Sequence, residues 1–377
     1  MEDVWFSSAL WMGLGLIASL LSIWSGVSVA LIEVFFGAIA ANSIGLSGTP
    51  LIDYLGGLGA IMLAFLAGSE TRWAVVRKSA YANFTIGAGS FLAPFASAFL
   101  FTMFVFGWGR PQALVAATAL STTSVALVYT VIIESGHSQT EVGQTVLAAR
   151  FINDIGTMLA LAIATSGLNY RLALFAAAML IAVLIVLKIA PWFLDKDEHG
   201  VSQPDIRFLA VILFLLGGLG SISGTQAVVP AYVIGLALAS ILERKAGLAN
   251  RLRTVAFAWF TPFYFLRAGS FLDFVDWPTI AVMTVALLVI KIVSKCAAIV
   301  PLTRAFRIPQ RDGWSIAMLM STGLTFGTVA AVAGLTHSII DRQQYAILVT
   351  TVIASGTIPA LIAQKILHSR SSRPGLP

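Results

Sequence analysis

The sequence predicts an all-α membrane protein with thirteen transmembrane helices. Three observations predict it. The 377-residue chain is 58% hydrophobic and only 11% charged, where soluble domains carry about 25% charge. Its mean hydropathy of +0.91 leaves too little polar surface to coat a globule in water, which excludes a soluble enzyme, a nucleic-acid binder and a disordered chain. Its apolar residues also fall into runs of about 20, the length that crosses ~30 Å of hydrocarbon.

In order, the runs are 6–24, 27–45, 54–72, 83–107, 111–134, 142–166, 172–194, 206–222, 227–243, 255–273, 278–303, 312–336 and 343–368. Short loops join them, with no soluble domain or low-complexity linker between, and 369–377 is a small basic tail. The acidic start Met1-Glu2-Asp3 argues against a cleavable signal peptide before the first run. A single cysteine, Cys296, excludes an internal disulfide and a multi-cysteine metal site.

Basic residues give the orientation. Arg72, Arg77, Lys78, Lys188, Lys196, Arg207, Arg244, Lys245, Arg251, Arg253, Arg304, Arg307, Arg311, Lys365, Arg370 and Arg373 fall on one side, and only Arg110, Arg171 and Arg342 on the other. The positive-inside rule then puts the N-terminus outside and the C-terminus in the cytoplasm of a multi-pass cell (inner) membrane protein, which needs an odd number of spans. The four histidines, His137, His199, His337 and His368, fall in loops or the tail.

Charges inside the runs are the candidates for function, because a charge at mid-bilayer costs about 2.5–3.5 kcal/mol on insertion scales. They are Glu33, Arg150, Asp154, Arg267, Lys291 and Lys295. Asp154 lies near the middle of the sixth run, in Ala149-Arg150-Phe151-Ile152-Asn153-Asp154-Ile155-Gly156-Thr157. It reads as a carboxylate that alternately holds a proton and a metal cation, or as the partner of Arg150 one turn away. Asn153 offers a neutral amide beside it, as a ligand or as a packing contact. Lys291 and Lys295 stand one turn apart in the eleventh run, and depth favours Lys291 as the one that pairs with the Asn153-Asp154 region. Arg267 reads equally as a structural partner or as lining water, and Glu33 as having a structural partner.

Two hydroxyl clusters sit at mid-membrane, Ser121-Thr122-Thr123-Ser124 in the fifth run and Ser321-Thr322-Gly323-Leu324-Thr325 in the twelfth. They are seven spans apart, so their helices run in opposite directions. That is the pattern of an inverted repeat with two broken crossing helices, whose freed carbonyls bind cations and whose dipoles offset charge. The alternative is that the hydroxyls bond back to carbonyls of ordinary helices.

These residues resemble the second of the monovalent cation:proton antiporter families, the prokaryotic sodium/proton and potassium/proton exchangers, over essentially all thirteen spans. Leu58–Glu70 is similar to the family's "FLAGxE" segment, Ala119–Ala126 and Met320–Gly327 to its broken helices, and Pro262–Phe271 to its "FF-x-x-x-G" span. Asn153-Asp154 matches an Asn-Asp variant of its paired position. The resemblance implies a homodimer and a single transmembrane antiporter domain. Core spans at about 83–166 and 278–368 would alternate access against dimerisation spans. It implies Asp154 as the proton and Na+ or K+ carrier, with Asn153, Thr123 and Ser124 at the ion. It makes Lys295 the better match to the family's intramembrane lysine, with Lys291 the alternate. Arg150 and Arg267 depart from the pattern, and Arg150 would compete with the bound cation.

The expected function is therefore exchange of protons for monovalent cations, Na+ favoured and K+ possible. It is electroneutral because Asn153 leaves one exchangeable acid at the pair. Alternatives are a proton-sensing membrane protein, with Arg150 filling the cation site, or an organic-anion transporter using Arg150, Arg267, Lys291 and Lys295. No cofactor, nucleic acid or partner beyond lipid, the transported ions and a second copy is expected. No phosphate loop, nucleophile–base pair or metal cluster suggests enzyme chemistry.

Overall fold

The computed structural model describes residues 4–71, 76, 79–124, 128, 132, 140–167, 170–194, 203–223, 226–272 and 277–371. Outside them lie Arg72, Arg77, Lys78, His137, Lys196, His199, the end of the tail, and the second half of the fifth run apart from Val128 and Ile132.

Each of the thirteen runs contains helix. The helices are α1 Val4–Ser25, α2 Val29–Ile44, α3 Pro50–Ser69, α4 Ala80–Phe104, α5 Arg110–Ser121, α6 Glu141–Ser166, α7 Tyr170–Leu194, α8 Pro204–Ser223, α9 Val228–Arg244, α10 Ala246–Val255, α11 Thr261–Ser270, α12 Trp277–Ala305, α13 Gln310–Ser321, α14 Thr325–Thr336 and α15 Arg342–Ser371. Prolines set several starts, at Pro50, Pro111 and Pro262, where the missing N–H has no helical partner to lose. Among the described residues, eight spans are long and apolar enough to cross a membrane on length and composition.

The tenth run differs from its expectation of one plain span. Helix α10 ends at the run's first residue, Val255, and the run continues as a π-helical turn over Ala256–Phe260 and then α11. The Thr261 hydroxyl donates to Ala256 O across that turn, 2.8 Å away. A carbonyl of the turn, that of Phe260, lies against Gly59 of α3, where a Cβ would come within 2.5 Å of it.

The chain divides into two compact units. One comprises Met1–Arg72 and Thr165–Phe274, the other Trp73–Ala164 and Val275–Pro377. In the first, α3 packs on α9 and α11, and α2 on α11. Gly37 and Gly269 bring α2 and α11 into backbone contact, because a Cβ on either would strike the main chain of Leu266 or Val34. Trp11, Ile52, Phe263 and Leu266 form the apolar centre beside this crossing.

In the second unit α12 packs on α4, α13 and α15, and α14 on α5 and α15. The two halves of the twelfth run, α13 and α14, are almost wholly buried, whereas α12 has two characters. Val282, Val285, Val289 and Val293 are exposed, while Thr284, Leu287, Lys291 and Lys295 are buried. Spacings of three and four residues put each set on one face. The lysines thus face the protein interior and the valines face outward, as a lipid-bathed helix requires.

Candidate functional site

The site is built inside the second unit from α4, α5, α6, α12, α13, α14 and α15. Helix α5 stops at Ser121 and α13 at Ser321, and Thr122–Ser124 and Thr322–Leu324 follow in extended or irregular backbone. The two breaks touch. Ser124 N donates to Thr322 O at 2.9 Å and the Thr123 hydroxyl donates to Met320 O at 2.9 Å. Gly323 permits the approach, because a Cβ there would stand 3.1 Å from Thr122 Oγ1, 3.2 Å from Ser355 Oγ and closer still to Lys291 Nζ.

The hydroxyl clusters divide their work. Ser121, Thr122, Ser321 and Thr322 donate to carbonyls three or four residues back in their own helices. This is the ordinary behaviour of helical Ser and Thr. Thr123 alone of the cluster hydroxyls with a described bond reaches the opposite break. Thr325 is buried at the start of α14.

Lys295 joins the two breaks. Its ammonium donates to Thr122 O at 3.1 Å, to Thr123 Oγ1 at 2.9 Å and to Met320 O. All three of its N–H donors are thereby used, on two carbonyls at the breaks and on the Thr123 hydroxyl. Lys291, one turn earlier, donates to Ser355 Oγ at 3.0 Å, and Ser355 in turn donates to Val352 O at 2.8 Å. Both lysines are fully buried.

The carboxylate has another partner. Both Nε and Nη2 of Arg150 donate to Oδ2 of Asp154, at 3.1 and 3.0 Å. This ion pair is almost completely buried. Asp154 Oδ1 is buried and accepts no hydrogen bond. Sequence depth favoured Lys291 and register favoured Lys295 as the partner of this region, but neither forms an ion pair with Asp154. Arg150 wins because it is four residues away on the same helix, while each lysine amine is held by the breaks or by Ser355.

Asn153 is fixed in one orientation. Its Nδ2 donates to Ser90 Oγ at 3.1 Å and to Ser121 O at 3.0 Å. A flipped amide would set Oδ1 against the Ser121 carbonyl, acceptor against acceptor, so the assignment follows from the network. Asn153 Oδ1 is then left buried and without a hydrogen bond, like Asp154 Oδ1. Buried unpaired oxygens are costly unless something else coordinates them. Two carbonyl-type oxygens on consecutive residues, one of them anionic, fit the hard oxygen ligands that Na+ or K+ takes, with the ion as substrate. Among the described residues no group of three His, Cys, Asp or Glu could hold a metal ion.

Ser90 and Ser355 carried no signal in the sequence, each being one hydroxyl in a long apolar run. The remaining intramembrane charges lie in the first unit. Arg267 Nε pairs with Asp53 Oδ1, and its guanidinium lies 4.1 Å from the Phe271 ring centre. Glu33 departs from expectation: it is 2% exposed and its Oε2 has no hydrogen-bond partner.

An intramembrane helical protein in which two interrupted helices cross beside a buried carboxylate is the class that this fold and site define. The chain belongs to the family described as sodium/hydrogen exchanger, transmembrane, which it matches over residues 8–367. It is similar to the probable Na(+)/H(+) antiporter GerT of Bacillus cereus, at 24% identity over 237 residues, covering 61% of this chain and 63% of that protein. It is also similar to the probable Na(+)/H(+) antiporter 3 of Methanocaldococcus jannaschii, at 26% identity and 64% of each chain. The Na(+)/H(+)-K(+) antiporter GerN of Bacillus cereus is 23% identical over 82% of each. The matched region is thus just under two thirds of the first two relatives' length. The solved structure of the sodium proton antiporter MjNhaP1 from Methanocaldococcus jannaschii superposes with a TM-score of 0.74 over 97% of this chain and 98% of that one, at 14% identity. At that identity the likeness is one of fold.

Proposed function

We propose that the chain is a secondary antiporter exchanging protons for a monovalent cation, Na+ favoured and K+ possible, with Asp154 as the shared carrier. The observation that carries this reading is the pair of buried, unpartnered oxygens Asp154 Oδ1 and Asn153 Oδ1. A carboxylate cannot hold a proton and a metal ion at once, so each passage carries one or the other. Asn153 supplies a neutral ligand whose orientation Ser90 and Ser121 fix. Thr123, Ser124 and Lys295 keep the two breaks together, and the lysine's charge offsets that of the carboxylate. Lys291 adds a second buried positive charge. Arg150 holds Oδ2 and sets the competition that an entering cation meets.

With one exchangeable acid at the pair, exchange is electroneutral. The unit containing Asp154 is the moving core, and the other supports a homodimer in the inner membrane, with the N-terminus outside and the C-terminus in the cytoplasm. The relatives' names, Na(+)/H(+) antiporters and one Na(+)/H(+)-K(+) antiporter, support the substrate class. The test is collapse of a pH gradient in proteoliposomes on adding Na+ or K+. Wild type dissipates the gradient and Asp154→Asn does not. Equal activity in both removes Asp154 from the mechanism. Turnover driven by membrane potential alone contradicts electroneutrality.

A further inference from the structure

A shallow surface depression of about 440 Å³ lies on the second unit, lined by Arg311, Trp314, Lys365 and Ile366. Arg311 lies near the start of α13 and Lys365 near the far end of α15, two helices packed against each other. Arg311 and Lys365 are both exposed, and charge on a lipid-facing surface belongs at the membrane boundary rather than in hydrocarbon. That assigns the depression to the depth of the phospholipid headgroups. Trp314, half-exposed there, is the residue type that settles at that boundary, apolar body inward and N–H toward water.

Among the described residues the cations of this depression have no carboxylate partner. Arg150, Arg251, Arg253 and Arg267 each meet an acid. Among the described residues neither Arg311 nor Lys365 forms an ion pair, and the Arg311 guanidinium reaches only the Ile366 carbonyl, at 3.4 Å. A guanidinium and an ammonium from two helices, beside an indole and an aliphatic side chain, match a phosphate carried on an acyl chain.

We propose that this depression binds the phosphate of an anionic phospholipid of the phosphatidylglycerol class, with Arg311 and Lys365 on the phosphate and the glycerol end against Trp314 and Ile366. The site is independent of Asp154. The test uses the full-length chain in detergent, titrated with dioctanoyl-phosphatidylglycerol while the thermal unfolding midpoint is followed. Dioctanoyl-phosphatidylcholine and inorganic phosphate serve as parallel arms. Phosphatidylglycerol raises the midpoint of wild type, phosphatidylcholine does not, and Arg311→Gln with Lys365→Gln weakens the apparent affinity by roughly tenfold or more. An equal response in wild type and the double variant overturns the site. An equal response to inorganic phosphate at the same concentration overturns the lipid as its source. Should the double variant not fold, native mass spectrometry of Lys365→Gln alone decides. Undiminished retention of phosphatidylglycerol contradicts the proposal, and loss of the bound lipid supports it.

Discussion

Arg150 takes one oxygen of Asp154 and leaves the other bare. Two guanidinium nitrogens converge on Oδ2, at 3.0 and 3.1 Å, while Oδ1 accepts nothing. A charge pair out of water is held mainly because breaking it strands its partner, a loss of about 3–5 kcal/mol. On the proposed reading, a cation entering at Asp154 would face a resident positive charge on the same helix.

The first prediction follows from that competition. Arg150→Gln strands the Asp154 carboxylate, so the variant is less stable than wild type without cations, and Na+ or K+ restores part of the loss. The unfolding midpoint of purified protein, with and without the salt, checks it. A cation-induced rise no larger in the variant than in wild type contradicts the competition.

Lys295 holds three oxygens at the breaks, the carbonyls of Thr122 and Met320 and the Thr123 hydroxyl. Lys295→Met leaves Thr122 O buried without this donor, at about 1–3 kcal/mol, while Met320 O keeps the Thr123 hydroxyl. The expected result is a strongly lowered unfolding midpoint whether or not cations are present. A near-normal midpoint would show that the breaks do not depend on the lysine.

Thr123 and Thr322 stand one on each break but bond differently. The Thr123 hydroxyl spans to Met320 O and accepts from Lys295, whereas that of Thr322 returns to Leu319 O on its own helix. Thr123→Val is therefore expected to cost about 1–3 kcal/mol, with Thr123→Ser retaining most of the stability, and Thr322→Val is expected to cost less. Thermal unfolding of the three variants side by side checks the order.

Gly323 is where the breaks and two side chains converge. Gly323→Ala places a methyl against Lys291 Nζ, Thr122 Oγ1 and Ser355 Oγ. Overpacking of this kind costs about 1–3 kcal/mol. The variant is expected to reach the membrane with lowered stability and slowed cation-dependent collapse of a pH gradient. Wild-type rates would contradict the tight crossing.

Much of the fold was legible because lipid imposes a coarse rule: apolar runs of fixed length, and charge only where protein or water receives it. The thirteen runs, the two hydroxyl clusters and the inward lysines of α12 all follow from it. What escaped the sequence depends on the backbone. The carbonyls of Ser121, Thr122 and Met320 organise Asn153, Thr123 and Lys295, and a carbonyl has no letter of its own. The π-helical turn at Ala256–Phe260 reads as ordinary apolar helix. The choice between Lys291 and Lys295 could not be made from spacing because neither pairs with Asp154. Glu33 looked like a residue with a partner because a buried carboxyl usually has one, yet its Oε2 has none.

The central claim is that proton and cation compete for Asp154. The most direct measurement is proton release when Na+ or K+ is added to the purified protein in weakly buffered solution, followed with a pH dye alongside radiolabelled cation binding. The account predicts a proton released for each cation bound by wild type, and neither release nor binding in Asp154→Asn. Cation binding by wild type without proton release would contradict it.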